Sequence, residues 1–91
     1  MSTIFEWDEA KAKRNLQKHG ISFLEAQTVF NDPLLITFED EEHSNGETRY
    51  VSIGMSDRGR ILAIVHVERN DRIRLISCRK ATVREQRLYE Q

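Results

Sequence analysis

A single cysteine, Cys78, occurs in the chain. One thiol makes no internal disulfide and builds no metal site alone, so the cytoplasm is the expected compartment. His19, His43 and His66 are not at metal-ligand spacing, and neither a metal nor a cofactor is expected. The one proline and four scattered glycines leave no linker and no glycine-rich phosphate loop. Ser44, Ser52, Ser56 and Ser77 lack the context of a nucleophile elbow. No apolar run approaches the roughly 18–20 residues of a transmembrane helix. The opening Met1–Asp8 has neither a basic nor a long apolar region, so no secretory signal is expected.

What is present is a chain of 91 residues, 38% hydrophobic and 32% charged. That length fits a single domain, residues 1–91, with a small core. The net charge of −1 conceals an asymmetry. Residues 1–45 carry four Lys/Arg against nine Asp/Glu, whereas residues 46–91 carry ten against six. Nine of those ten bases are Arg, and only Lys80 is Lys. The planar guanidinium donates two bonds to two phosphate oxygens at once. A solvated Arg-rich surface accounts for the charge equally well.

Ile4–Trp7 reads as a short strand or an extended entry. Asp8 caps a helix over Ala10–Lys18 whose thin apolar face is Ala12 and Leu16, and Gly20 ends it. Ser22-Phe23-Leu24-Glu25 reads as a capping box opening a second helix, with Phe23, Ala26 and Phe30 on one face. Alternating patterns then predict strands from Leu34, over Thr48–Met55, over Arg60–Glu68 and over Arg72–Cys78. The third of these is apolar on both faces, as a central strand is. Thr82-Val83-Arg84-Glu85 is a capping box for a last helix. The expected fold is α+β: an antiparallel sheet of about four strands, two N-terminal helices and one C-terminal helix.

The last hairpin carries the polar cluster. A three-residue loop, Arg69-Asn70-Asp71, puts Glu68 opposite Arg72 and His66 opposite Arg74, and separates an apolar face from a polar one. A two-residue loop puts His66 opposite Leu75 and Val67 opposite Arg74, which mixes the faces. The first register gathers His66, Glu68, Arg72 and Arg74 on one surface, with Arg79 and Lys80 where the strand meets the last helix. Cleaving RNA without a metal needs a base for the 2′-hydroxyl, an acid for the leaving oxygen and cations for the phosphoryl group. His66 and Glu68 suit the proton transfers, and Arg72, Arg74, Arg79 and Lys80 suit phosphate. Cross-strand charge pairing on an exposed face explains the same pattern without chemistry.

Phe5-Glu6-Trp7-Asp8 and Asn15-Leu16-Gln17-Lys18-His19-Gly20-Ile21-Ser22-Phe23 resemble the opening of BrnT-type toxins. Val29-Phe30-Asn31-Asp32-Pro33, Tyr50-Val51-Ser52-Ile53-Gly54 and the stretch from Val67 to Thr82 continue the resemblance in order, over nearly the whole chain. The resemblance implies a RelE-like fold and a metal-independent ribonuclease toxin of a type II toxin–antitoxin pair that stops growth by cutting RNA. It implies a BrnA-type ribbon-helix-helix antitoxin as partner, with DNA contacted only through that complex and no membrane. It places catalysis on His66, Glu68, Arg74 and Arg79, and RNA binding on Arg72 and Lys80. The alternative is a non-catalytic module binding RNA or protein through the Arg-rich hairpin.

Overall fold

The computed structural model describes residues 3–91; Met1 and Ser2, the start of the segment read for a signal, lie outside the described residues. In chain order the elements are β1 (Ile4–Glu6), α1 (Glu9–His19), α2 (Phe23–Thr28), β2 (Ile36–Asp40), β3 (Arg49–Met55), β4 (Ile61–Arg69), β5 (Arg72–Lys80) and α3 (Val83–Tyr89). Short 3-10 turns follow α2 and β2, at Val29–Asn31 and Glu41–His43. The class is α+β, as expected.

The sheet has five strands rather than about four, in the order β1-β5-β4-β3-β2. It is mixed rather than wholly antiparallel, because β1 runs parallel to β5. Parallel partners need a crossover instead of a hairpin, and here nearly the whole chain is that crossover. Three residues of β1 are too few to display an alternation. β4 is central, as its two apolar faces require.

The helix ends follow the local rules. The Asp8 carboxylate accepts from Ala10 N at 2.8 Å and Lys11 N at 3.2 Å, and Gly20 closes α1 with φ 71°. Thr82 and Glu85 complete a capping box on α3. The box read at Ser22 is only half formed. Ser22 Oγ accepts from Glu25 N, but the Glu25 side chain turns inward to Ser56 Oγ and the Arg60 guanidinium. The Arg60 hydrogen bonds hold the Glu25 carboxyl below its ordinary range, against the cost of burial.

Asn15, not Leu16, fastens α1 to the sheet. Leu16 is half exposed, whereas Asn15 is buried. The Asn15 amide donates to Cys78 O at 2.9 Å and Ile21 O at 3.0 Å, and its oxygen accepts from Cys78 N at 2.9 Å. β1 pairs with β5 only along Arg72–Arg74, so further along β5 this flank has no strand. Asn15 supplies there the donor and acceptor that a strand residue would. Burial pushes the Cys78 thiol up to about 12, which leaves it an unreactive packing group.

The register of the last hairpin differs from the expected one. The loop is two residues, Asn70-Asp71, with Asn70 at φ 57°. His66 therefore pairs with Leu75 and Val67 with Arg74. The pairing shifts between Val65 and His66, and Ile76 is left as a bulge between Leu75 and Ser77. The apparent mixing of faces disappears because His66 packs as a core residue beside Leu75, both within 1% of complete burial. The bulge then returns Cys78 to the same face as Leu75, opposite Ile64.

Two apolar layers result. On one face of the sheet Ile21 from the link between the helices, Phe23 and Ala26 of α2 and Val29 of the 3-10 turn after it cover Leu62, Ile64, Leu75 and Cys78, with Ala12 of α1 packed against them. Phe5 and Trp7 join this side, the rings of Trp7 and Phe23 meeting edge-on at 5.9 Å. On the other face Ile53, Ala63 and Ala81 pack with Ile36, Val51, Ile61 and Tyr89. The seven-residue α3 roofs only one end of that second face, and the hairpin end stays open.

Candidate functional site

The open end of the second face is defined by register. Asp40 pairs with Arg49, Arg49 with Val67, Val67 with Arg74, and Arg74 with Glu6. Directly paired residues point to the same face. The five side chains thus form one row across the sheet, charged −, +, neutral, +, −. The two arginines sit two strands apart, with backbones about 10 Å from each other. Val67 between them is 4% exposed. Toward the loop the next row adds Arg69 and Arg72 with Ile4. Away from it, the exposed Phe38 and the half-buried Val51, Val65 and Ser77 form a floor ending under α3.

Each cation on this face is held differently. Arg74 Nη1 donates to Glu6 Oε2 at 3.2 Å. Arg69 is bound by both oxygens of Glu47, at 2.5 and 2.7 Å. Arg79 donates to both oxygens of Glu85, at 2.6 and 3.0 Å, and these bonds keep its pKa raised and that of Glu85 lowered. Among the described residues Arg49 and Arg72 have no carboxylate within 4.0 Å. A site with two unneutralised guanidinium groups beside a third that is singly bonded attracts an anion with spaced charges, such as a phosphodiester chain.

Arg72, Arg74 and Arg79 therefore share one face. Arg79 reaches it through the bulge: it lies five residues from Arg74, and plain alternation would send it to the opposite side. The same bulge sends Lys80 to the face of Leu62, where it is exposed and apart from the arginine row. Glu68 is exposed opposite Ile73, also on the helix-covered side. The expected gathering of His66 and Glu68 with Arg72 and Arg74 is thus corrected: a sheet separates the two sets.

His66 is fully buried. Its Nε2 lies 2.7 Å from Ser52 Oγ, which lies 2.8 Å from Thr37 Oγ1. Phe30 meets the imidazole edge-on at 5.1 Å and Tyr50 stacks on it at 5.8 Å. Nδ1 has no partner among the described residues. Burial pushes the His66 pKa down to about 4, so the ring is neutral near pH 7. Because the unfolded chain takes up this proton near pH 6.5, His66 stabilises the fold fully above that pH. The contribution falls as pH drops toward 4 and then levels, an acid loss of about 3 kcal/mol at most. In urea titrations at stepped pH, His66→Phe is expected to flatten the stability profile between pH 6.5 and 4. A slope equal to the parent's would show that His66 is not its source.

Sequence reasoning missed Arg49 and Glu6 as members of the site. Arg49 carries the same outward alternation as Val51 and Ile53, a signal that was available. Glu6 became visible only with the parallel pairing of β1.

The family profile described as "Ribonuclease toxin, BrnT, of type II toxin-antitoxin system" matches residues 7–85. A crystal structure of the ribonuclease toxin BrnT of Brucella abortus is similar with a TM-score of 0.70 and 23% sequence identity. The match covers 89% of this chain and 99% of that one, and at this identity it speaks for the fold. No curated protein matches the chain.

Proposed function

The chain belongs to the BrnT family of ribonuclease toxins of type II toxin–antitoxin systems, and on that premise we propose that residues 1–91 form a single, metal-independent endoribonuclease domain of RelE-like type, working on the open face of its sheet. Family membership brings with it an antitoxin partner. In this reading the partner is a BrnA-type ribbon-helix-helix protein, DNA is reached only through the complex, and RNA cleavage in the cytoplasm stops translation and growth. Among the described residues no helix is long and apolar enough to cross a membrane.

The observation that carries the reading is the row Asp40–Arg49–Val67–Arg74–Glu6. In the reaction a ribose 2′-hydroxyl attacks the adjacent phosphorus, and negative charge grows on the non-bridging oxygens. Fixed guanidinium donors aimed at those oxygens stabilise the transition state more than the ground state. Arg74, with Arg49 and Arg72 beside it, fills this role. Arg79 acts as a positioning residue: its bidentate bond to Glu85 sets the start of α3, the roof at one end of the face. His66, Glu68 and Lys80 take no part in this mechanism, since the sheet stands between them and the arginine row.

The test is incubation of the purified chain, free of its partner, with total RNA and separately with ribosomes, both in chelator. New ends bearing 2′,3′-cyclic phosphate and 5′-hydroxyl are expected in at least one sample. Retention of RNA on a gel without new ends would replace this reading with that of a non-catalytic RNA-binding module.

A further inference from the structure

With His66 buried and Glu68 behind the sheet, a base for the 2′-hydroxyl must come from the open face itself. Among the described residues, four carboxylates lie in the rows of that face or bond to its arginines. Glu85 is committed to Arg79 and to the Thr82 amide. Glu47 gives both oxygens to Arg69. Asp40 is paired with the His43 ring through both oxygens, at 3.0 and 3.2 Å. Glu6 is different. Its Oε2 accepts one bond from Arg74, at 3.2 Å, and its Oε1 has no partner among the described residues. The side chain is 30% exposed, so solvent and substrate reach it.

We propose that Glu6 is the general base of the ribonuclease reaction, oriented by the same arginine that binds the scissile phosphate. The inference rests on the ribonuclease reading above. Arg74 has five N–H donors. One Nη1 bond fixes the Glu6 carboxylate beside the guanidinium, and the remaining donors are left for phosphoryl oxygens. A ribose 2′-oxygen lies one bond path from its own 3′-phosphate, so a phosphate seated on Arg74 brings that hydroxyl toward the neighbouring carboxylate. Glu6 takes the hydroxyl proton as the O2′–phosphorus bond forms. The phosphorus–O5′ bond breaks with its electron pair on O5′, which takes a proton from water. The hydroxide left behind recovers the proton from Glu6, and the carboxylate is restored. Products are a 2′,3′-cyclic phosphate and a 5′-hydroxyl.

The experiment is single-turnover cleavage of a short RNA, with protein in excess and chelator present. Glu6→Gln keeps the shape and still accepts from Arg74. It is expected to lower the saturated rate at least about 100-fold. The protein concentration giving half-saturation should stay within about threefold, because Gln removes the base and leaves the cations. Glu6→Asp should regain part of the rate, and Glu68→Gln should cleave like the parent. Glu6→Gln cleaving within about threefold of the parent, in a preparation where Arg74→Ala is inactive, would overturn the assignment and leave the ribonuclease reading standing. A parent chain that leaves RNA intact, with and without ribosomes, would overturn the ribonuclease reading itself.

Discussion

Arg74→Ala is expected to lower RNA cleavage by about 10²–10³-fold, the usual loss when one preorganised donor to a developing oxyanion is removed. The effect should fall on the saturated rate more than on affinity, since Arg49 and Arg72 still attract the phosphate chain. The substitution also frees Glu6 from its one hydrogen bond, so the base loses its orientation along with the phosphate losing its donor. Arg74→Lys should restore little: an ammonium is a point charge and cannot span a carboxylate and a phosphoryl oxygen with a fixed fork. Thermal melting should move only slightly, because the Arg74–Glu6 pair is partly exposed and such pairs add little to stability. Unchanged cleavage by a well-folded Arg74→Ala protein would remove the arginine row from the mechanism.

The largest stability effect is expected away from the site. Asn15→Ala strips one side chain that satisfies three backbone groups: Cys78 N–H, Cys78 C=O and Ile21 C=O. A buried polar group left without a partner costs about 1–3 kcal/mol, so the total loss is about 3–5 kcal/mol. A domain of this size has roughly 5–15 kcal/mol in all, and the variant should approach marginal folding. Asn15→Asp should fail to rescue it, since a carboxylate cannot donate to the two carbonyls. Urea unfolding gives the magnitude, and accelerated amide exchange at Cys78 identifies the cause. A loss below about 1 kcal/mol would mean that water replaces the amide at this flank of β5.

Much of this fold was legible because its signals are local. Asp8, Gly20 and Thr82 act within one turn of their helices, and their roles follow from backbone groups that every helix end leaves unpaired. The apolar run of β4 required a central strand. The failures share a different origin. β1 finds its partner at the far end of the chain. Asn15 reads as one polar residue of a polar helix until β5 lies beside it. The hairpin loop is one residue shorter than its polar pattern suggests, and in a sheet one residue exchanges the faces. A solvent-facing His66 fits the other register, whereas His66 buried beside Leu75 aligns Arg74 with Arg49 and Glu6. The bulge at Ile76 then places Arg79 on the arginine side and Lys80 on the other, which no alternation rule anticipates.

The proposed reaction needs RNA on the open face, across Arg49, Val67 and Arg74. The most direct measurement is titration of the 15N-labelled chain with a 2′-O-methyl RNA oligonucleotide, which cannot be cleaved, following arginine side-chain and backbone amide signals. The Arg49, Arg72 and Arg74 side-chain signals should move together with the Val67 amide, while the Lys80 amide stays unchanged. Shifts centred on Lys80 and the helix-covered side, with the arginine row silent, would contradict that placement.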